Sequence, residues 1–246
     1  MESQNTSKGG IYKYLLPIRC IAFLLIFVIG AKLAGQDVDD ISCWWSVAAS
    51  AVNVIVILML VLLSKRTDGG YLKLINYQKG VTKPKKAAAL ILGFVAFGMS
   101  GMYLAGFICY GSMMPEESIK MAAPISLAFA VPNLIILPIT TALAEDGLYL
   151  GGGVNHIGNK TAAIAVPAFF YALQHCFIPT IFDAKYIIYR FVSFLPLTII
   201  FCIYYYKKRD PIPVMIAHVI LDLATAVLIL IMSASPDLYK KALEMI

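Results

Sequence analysis

Four ionisable side chains interrupt otherwise apolar stretches of the sequence: Glu145, His175, His218 and Asp222, with Asp146 directly after the first. An ionisable group at the centre of a membrane helix costs at least ~2.5 kcal/mol, so each of these side chains needs a partner or a function. His218 and Asp222 are four residues apart, which places them on one face of a helix. Their types and spacing predict a polar site inside an apolar protein.

Two imidazoles and a set of carboxylates in one cavity favour hydrolysis by one of two routes. Without a metal, Glu145 acts as a general base on water, and a histidine stabilises the oxyanion or protonates the leaving amine. With a metal, Glu145, His175, His218 and Asp222 are candidate ligands of one divalent ion such as Zn²⁺, which activates the water. A third interpretation is structural, with the four groups joining helices by buried hydrogen bonds.

The segments that hold these residues are long apolar runs. The chain is 60% hydrophobic and only 14% charged, with a mean hydropathy of +0.81, whereas a soluble domain carries about 25% charged residues. Continuous runs are typical of transmembrane helices and exclude a membrane barrel, whose strands alternate. We therefore predict an all-α polytopic transmembrane bundle of about seven spans. The predicted spans are residues 14–33, 41–63, 87–110, 121–144, 161–182, 187–206 and 212–233.

The predicted spans form one continuous membrane domain with two parts. Residues 1–120 hold the first three spans and a basic loop at 64–86, and residues 121–246 hold the four spans with the candidate site. Most Lys and Arg, Arg19 among them, lie on one side when the N-terminus is cytoplasmic, because cytoplasmic loops are enriched in them. The net charge of +6 therefore indicates orientation in a lipid membrane rather than nucleic-acid binding. The short loops favour a bacterial cell membrane.

Three features near the fourth span are expected to have no catalytic role. His156 lies in a polar stretch and is expected to be solvated. The glycine run 151–153 predicts a flexible turn or helix end rather than a phosphate loop, because no Lys-Ser or Lys-Thr follows it. Tyr149, four residues after Glu145, is either its hydrogen-bond partner or an interfacial tyrosine.

Three short motifs contain the candidate residues, in order along the chain. They are EExxxR, here Glu145-Asp146-Gly147-Leu148-Tyr149-Leu150; FxxxH, here Tyr171-Ala172-Leu173-Gln174-His175; and a His followed four residues later by Asn or Asp, here His218 and Asp222. In motif order and spacing, residues 125–232 resemble the CPBP (Abi) family of membrane proteins, which is related to Rce1-type CAAX prenyl endopeptidases and bacteriocin self-immunity proteins.

The resemblance implies a CAAX-protease-like endopeptidase whose cavity faces the cytoplasm and whose substrate is a membrane-associated or lipidated peptide. By position, Glu145 would activate water, and His175 and His218 would bind or polarise the reacting groups. Asp222 would orient His218 or help to hold the oxyanion site, and Asp146 is the second acid of the first motif. The family is commonly labelled metalloprotease, so the resemblance leaves open one divalent metal or none.

Two departures from the motifs keep other functions open. Asp146 replaces the second Glu, and Leu150 replaces the Arg, so the cation expected to pair with that acid is absent. An alternative is therefore a catalytically weak or inactive immunity or binding protein on the same scaffold. A proton-coupled carrier that uses Glu145, His175 and Asp222 as a relay is a third hypothesis. The lack of an internal repeat argues against that carrier.

Overall fold

The computed structural model describes residues 9–245, so residues 1–8 of the predicted N-terminal part lie outside it, as does residue 246. The long helices are α1 (Tyr12–Ala34), α2 (Trp45–Thr67), α3 (Pro84–Tyr110), α4 (Leu127–Thr141), α5 (Lys160–Gln174), α6 (Ala184–Lys208) and α7 (Ile212–Ala234). A π-helix, Ala142–Val154, continues α4 without a break. Shorter helical pieces are Gly9–Ile11, Val38–Ile41, Ser42–Trp44, Tyr71–Leu74, Glu116–Lys120 and Pro236–Glu244.

Within residues 9–245, six helical segments are long and apolar enough to cross a membrane, with α4 and the π-helix counted as one. This confirms a helical membrane bundle, although the number of seven spans is not confirmed. The difference lies in α5, which has 15 residues. At 1.5 Å per residue it is about 22 Å long, which is shorter than a hydrocarbon core of about 30 Å. The predicted fifth span is therefore part helix and part irregular chain.

The irregular segment 175–183 is held by α6. The buried Arg190 donates from Nε to the carbonyl oxygen of His175 (3.1 Å) and from Nη2 to that of Ile178 (3.0 Å). Non-helical backbone at membrane depth is tolerated where protein groups satisfy it. Arg190 thus allows α5 to end inside the bundle, with His175 at its C-terminal end.

Several helices begin or end at one face of the bundle, where polar side chains join them. Tyr12, at the start of α1, donates a hydrogen bond to Asp68, just after α2 (2.9 Å). Thr82, just before α3, donates to Asp210, which lies between α6 and α7 (2.8 Å). We call this the basic face, because the basic loop 64–86 lies there. Helices α1, α3 and α7 begin at it, and α2 and α6 end at it.

The π-helix lies at the centre of the bundle and contacts α1, α2, α4, α5, α6 and α7. A Cβ added to Gly152 would lie 2.8 Å from the Tyr12 ring, and one added to Gly153 would lie 2.8 Å from Pro167. The missing side chains therefore let α1 and α5 approach the π-helix closely, as small residues do in membrane bundles. Of the two expectations for the glycine run 151–153, the flexible turn is wrong, because the run is buried, and the helix end is confirmed, because the π-helix ends at Val154.

Candidate active site

All five predicted site residues meet around Glu145. Its Oε2 atom lies 3.9 Å from Nε2 of His175 and 3.8 Å from Nε2 of His218. Oδ2 of Asp222 lies 3.6 Å from the same Nε2 atom of His218, and Oδ2 of Asp146 lies 3.4 Å from Nδ1 on the other side of the ring. Glu145, Asp146 and His218 are buried, whereas His175 and Asp222 are partly exposed. Three separate elements therefore contribute to one polar cluster.

The π-helix determines where the two adjacent carboxylates lie. It extends to Val154, so Glu145 and Asp146 lie well inside the bundle rather than at its surface. Most π-helices are single-turn bulges, which are frequent at functional sites, and this π-helix is much longer. The two carboxylates have different partners. Glu145 lies between Arg19 and the two histidines, and Asp146 accepts a hydrogen bond from Tyr171.

A backbone hydrogen bond fixes the orientation of His175. Its Nδ1 atom lies 2.8 Å from the carbonyl oxygen of Tyr171. Because a carbonyl oxygen only accepts, Nδ1 carries the proton, and in the neutral ring Nε2 then holds a lone pair. The ring also stacks on Phe194, with centroids 3.7 Å apart. The Nε2 lone pair of His175 is therefore held towards Glu145.

Tyr171 joins Asp146 to His218. The Tyr171 hydroxyl donates to Oδ1 of Asp146 at 2.8 Å, and Nδ1 of His218 lies 2.9 Å from the same hydroxyl oxygen. Since the hydroxyl proton is used on Asp146, Nδ1 of His218 donates to the hydroxyl oxygen. The other ring nitrogen, Nε2, then faces Glu145 and Asp222.

Two buried carboxylate oxygens in the cluster have no hydrogen-bond partner within residues 9–245: Oε2 of Glu145 and Oδ2 of Asp222. Both face Nε2 of His218. Buried acceptors normally have a donor, so each unsatisfied one calls for an explanation. The converging oxygens and ring nitrogens suit the binding of one small polar molecule that can donate hydrogen bonds.

The same four side chains are the predicted ligands of a divalent ion, and their geometry tests that prediction. Tetrahedral Zn²⁺ with ligands at 2.0–2.1 Å holds neighbouring ligand atoms about 3.3 Å apart. The corresponding distances from Glu145 to His175 and His218 are 3.9 and 3.8 Å. In the described part of the chain, no group of three or more His, Cys, Asp or Glu side chains is arranged to hold a metal ion. As arranged here, the side chains do not fit a tetrahedral Zn²⁺ ion.

Arg19, Asn53 and Gln174 also belong to the site, although the sequence analysis does not select them. Nη2 of Arg19 donates to Oε1 of Glu145 at 3.0 Å, and these side chains are only 1% and 3% exposed. Arg19 also donates from Nε to Oε1 of Gln174 at 2.6 Å and from Nη2 to Asn53. The sequence does contain a signal for Arg19, because it is a charged residue within the first apolar run. An ionisable side chain inside an apolar run is also the criterion that selected Glu145.

His156 differs from its expected role. It is half-buried, with Nε2 2.9 Å from Oδ1 of Asp68 and Nδ1 3.0 Å from the carbonyl oxygen of Gly152. Burial lowers the pKa of His156, but the hydrogen bond to Asp68, the charge of Asp68 and the carbonyl oxygens of Gly152 and Gly151 together raise it above its ordinary value. Burial raises the pKa of Asp68, but the hydrogen bond from His156 and those from neighbouring hydroxyls lower it below its ordinary value. His156 therefore joins helix ends at the basic face.

Tyr149 also differs from both of its expected roles. It is fully buried, and its hydroxyl donates to Oε1 of Gln174 at 3.1 Å rather than to Glu145. The four-residue spacing of an α-helix does not apply, because the segment is a π-helix with hydrogen bonds between residues five apart. The Tyr149 ring stacks on Tyr171, with centroids 4.6 Å apart.

A cavity of about 350 Å³ adjoins the site between α3, α6 and α7. Asp222 and Phe194 form part of its wall, and most other lining residues are apolar. Four methionines contribute to the lining: Met99, Met102, Met113 and Met114. The lining belongs to the half of the bundle opposite the basic face. The expected opening of the site on the side with the basic loops stays a prediction.

Comparison with known families agrees with the motifs. Residues 126–224 match the family model of type II CAAX prenyl endopeptidase Rce1-like proteins. The match is consistent with a CPBP (Abi) family protein, and the matched segment contains all five predicted site residues. Comparisons with curated proteins and with solved structures give no significant match to the chain.

Proposed function

We propose that the protein is an intramembrane endopeptidase that hydrolyses a membrane-associated or lipidated peptide. The match of residues 126–224 to the Rce1-like family model and the helical membrane bundle support this proposal. The observation that supports this most strongly is the unpartnered Oε2 of Glu145, which faces the imidazoles of His175 and His218 at 3.9 and 3.8 Å. A carboxylate oxygen that is free to accept, beside two oriented histidines, suits activation of a water molecule.

In the proposed reaction, Glu145 is the general base. Its Oε1 is held by Arg19, so Oε2 takes a proton from water while the water oxygen attacks the peptide carbonyl carbon. The lone pair on Nε2 of His175 accepts the second hydrogen bond of that water and orients it. General acid–base assistance of this kind contributes typically about 10²–10⁴-fold in rate.

His218 is the proposed acid that protonates the leaving amine. In its imidazolium form each ring nitrogen has a carboxylate nearby, with Asp146 at 3.4 Å from Nδ1 and Asp222 at 3.6 Å from Nε2. After attack, the tetrahedral intermediate collapses, the C–N bond breaks, and the amine takes the proton from Nε2. The proton on Glu145 then returns to His218, which restores the starting state.

The cavity supports an apolar substrate. Its methionine side chains are flexible and polarisable, so they adapt to apolar groups of different shapes. Asp222 lies both in the wall of the cavity and beside His218. We propose that the apolar part of the substrate lies between α3, α6 and α7 and directs the scissile bond towards Glu145.

We also propose that the protein lies in a bacterial cell membrane with the basic face in the cytoplasm, since cytoplasmic loops are enriched in Lys and Arg. In a cysteine-free background, Gln78→Cys on the basic face and Met113→Cys on the opposite face, both exposed positions, would be labelled with a membrane-impermeant maleimide in intact cells. Labelling of position 113 alone is expected. Labelling of position 78 alone would reverse the orientation.

The direct test compares wild type with Glu145→Gln, purified in detergent, on a membrane-peptide library and a prenylated peptide, with products identified by mass spectrometry. The glutamine keeps the shape of the side chain but cannot take the proton. Cleavage by wild type and its loss in Glu145→Gln are expected at a temperature where both proteins are folded. Equal cleavage by both proteins would remove Glu145 as the base. Cleavage by neither would favour the immunity or binding alternative.

A further inference from the structure

Helix α1 lies outside the matched segment 126–224, yet it contributes a buried cation to the site. The guanidinium of Arg19 has partners on three other elements. Nη2 donates to Glu145 in the π-helix at 3.0 Å and to Asn53 in α2, and Nε donates to Gln174 in α5 at 2.6 Å. One side chain thus connects α1, α2, α5 and the π-helix at the level of the carboxylate.

The charges of the site require such a cation. Glu145, Asp146 and Asp222 are three carboxylates within one cluster, and a buried carboxylate is costly unless it is paired and hydrogen-bonded. Position 150 of the same helix holds a buried leucine. Within residues 9–245, two Lys or Arg side chains form salt bridges, Arg19 and Lys120. Lys120 pairs with Glu116 in the short helix Glu116–Lys120, which contributes no residue to the acid cluster.

The partners of Arg19 are themselves held in place. Nδ2 of Asn53 donates to Oγ1 of Thr141 at 2.9 Å, four residues before Glu145. Oε1 of Gln174, the residue before His175, accepts from Arg19 and from Tyr149. The planar guanidinium presents its donors in a fixed fork, so its partners cannot move independently. The position of Arg19 therefore couples Glu145 to the residue preceding His175.

We propose that Arg19 is the positioning residue of the catalytic glutamate, Glu145, and supplies a buried cation to the site from α1. It holds Oε1 of Glu145, so that Oε2 alone faces His175 and His218, and through Gln174 it fixes the end of α5. The inference rests on the proposed function and deepens it.

The kinetic prediction separates positioning from substrate binding. Arg19→Gln is expected to lower kcat by about 10²-fold, because a catalytic group displaced by about 1 Å costs on that order. KM is expected to change little, because Arg19 does not line the cavity. Arg19→Lys restores the charge without the fork and is expected to recover part of kcat.

A matched pair of asparagine variants controls for stability. Asn53 touches Arg19, whereas Asn133 donates to Ser46 at 3.0 Å and accepts from Ser50 at 3.2 Å, joining α4 to α2 away from the acids. Both Asn53→Leu and Asn133→Leu should lower the melting temperature. Only Asn53→Leu should lower kcat at a temperature where both proteins are folded. Equal loss of kcat in both, or full kcat in Arg19→Gln, would overturn the proposal.

A double-mutant cycle tests the pair without relying on activity. Arg19→Gln leaves Glu145 buried without its cation, so the loss of melting temperature in the Arg19→Gln/Glu145→Gln double variant should be smaller than the sum of the two single losses. Additive losses would show that the pair does not interact and would overturn the proposal. A coupled pair in a wild-type protein that cleaves no peptide would instead overturn the proposed function and, with it, the catalytic role of Arg19.

Discussion

Arg19 and Glu145 are joined by a buried salt bridge of 3.0 Å between Nη2 and Oε1, which leaves Oε2 of the same carboxylate without a partner among the described residues. The bridge gives the two oxygens different roles, because one is bound by a permanent cation and the other faces two imidazoles. A carboxylate that is both fixed and free to accept a proton is what a general base requires.

Hydrolysis by this site is expected to be insensitive to chelators. The distances between Glu145 and the two histidines are longer than those between ligands of one Zn²⁺ ion, and Oε1 is occupied by Arg19. Peptide cleavage before and after treatment with a strong chelator, followed by removal of the chelator, measures this directly. Activity that disappears with the chelator and returns with added Zn²⁺ would show that the side chains rearrange around a metal.

Gly152→Ala is expected to destabilise the protein by about 1–3 kcal/mol, since overpacking a tight contact has this cost. The new Cβ would lie 2.8 Å from the Tyr12 ring, so α1 would be pushed from the π-helix. Gly93→Ala in α3 is the matched control, because its Cβ meets nothing within 4 Å. Thermal unfolding of both variants in one detergent decides the matter, and equal melting temperatures would contradict the close contact.

Sequence alone predicts much of this fold and of the site. Apolar runs define the helices because lipid tolerates few charged residues within a span, and the charged exceptions Glu145, His175, His218 and Asp222 are brought together as expected. The end of α5 could not be predicted, because residues 176–182 continue the largely apolar run without a charged residue. Their irregular course depends on Arg190, a contact between distant parts of the chain.

Arg19 and Asn53 could not be assigned to the site from the sequence, and the physical reason is the same for both. In the sequence, Arg19 is one of the basic residues near the N-terminus that indicate the orientation of the protein in the membrane. Asn53 is a polar residue within the second apolar run, with nothing nearby in the sequence to indicate its partner. Their roles depend on which faces of α1 and α2 meet the π-helix. That in turn depends on close packing of α1 at Gly152 and of α2 at Gly147, where an added Cβ would lie 3.1 Å from Leu60.

The pair of His156 and Asp68 predicts a pH-dependent stability. The pKa of His156 is raised in the folded protein by its bond to Asp68, so its contribution is fully present below the unfolded pKa of about 6.5 and is lost as pH rises through the folded value. The pKa of Asp68 is lowered, so that contribution is lost only in acid. The melting temperature of wild type should therefore fall more between about pH 6 and pH 9 than that of His156→Gln. Parallel curves would contradict this.

Tyr171 is expected to compensate for the short side chain of Asp146. Oδ2 of Asp146 lies 3.4 Å from Nδ1 of His218, which is long for a hydrogen bond, while the Tyr171 hydroxyl bridges the two at 2.8 and 2.9 Å. Tyr171→Phe removes the bridge and leaves His218 poorly oriented. We expect kcat to fall by about tenfold or more, since losing one such hydrogen bond costs about 1–3 kcal/mol, as measured by initial rates of peptide cleavage.

Adding Asp146→Glu to Tyr171→Phe should recover activity, because one more methylene group brings the carboxylate within reach of Nδ1 of His218. Both substitutions restore the residues of the motifs that this chain resembles, EExxxR and FxxxH. Asp146→Glu alone is the control, and it is expected to be impaired because the longer side chain meets the Tyr171 hydroxyl. A double variant no more active than Tyr171→Phe would show that the Tyr171 hydroxyl has a role beyond bridging Asp146 and His218. A fully active Tyr171→Phe would show that Asp146 orients His218 without help.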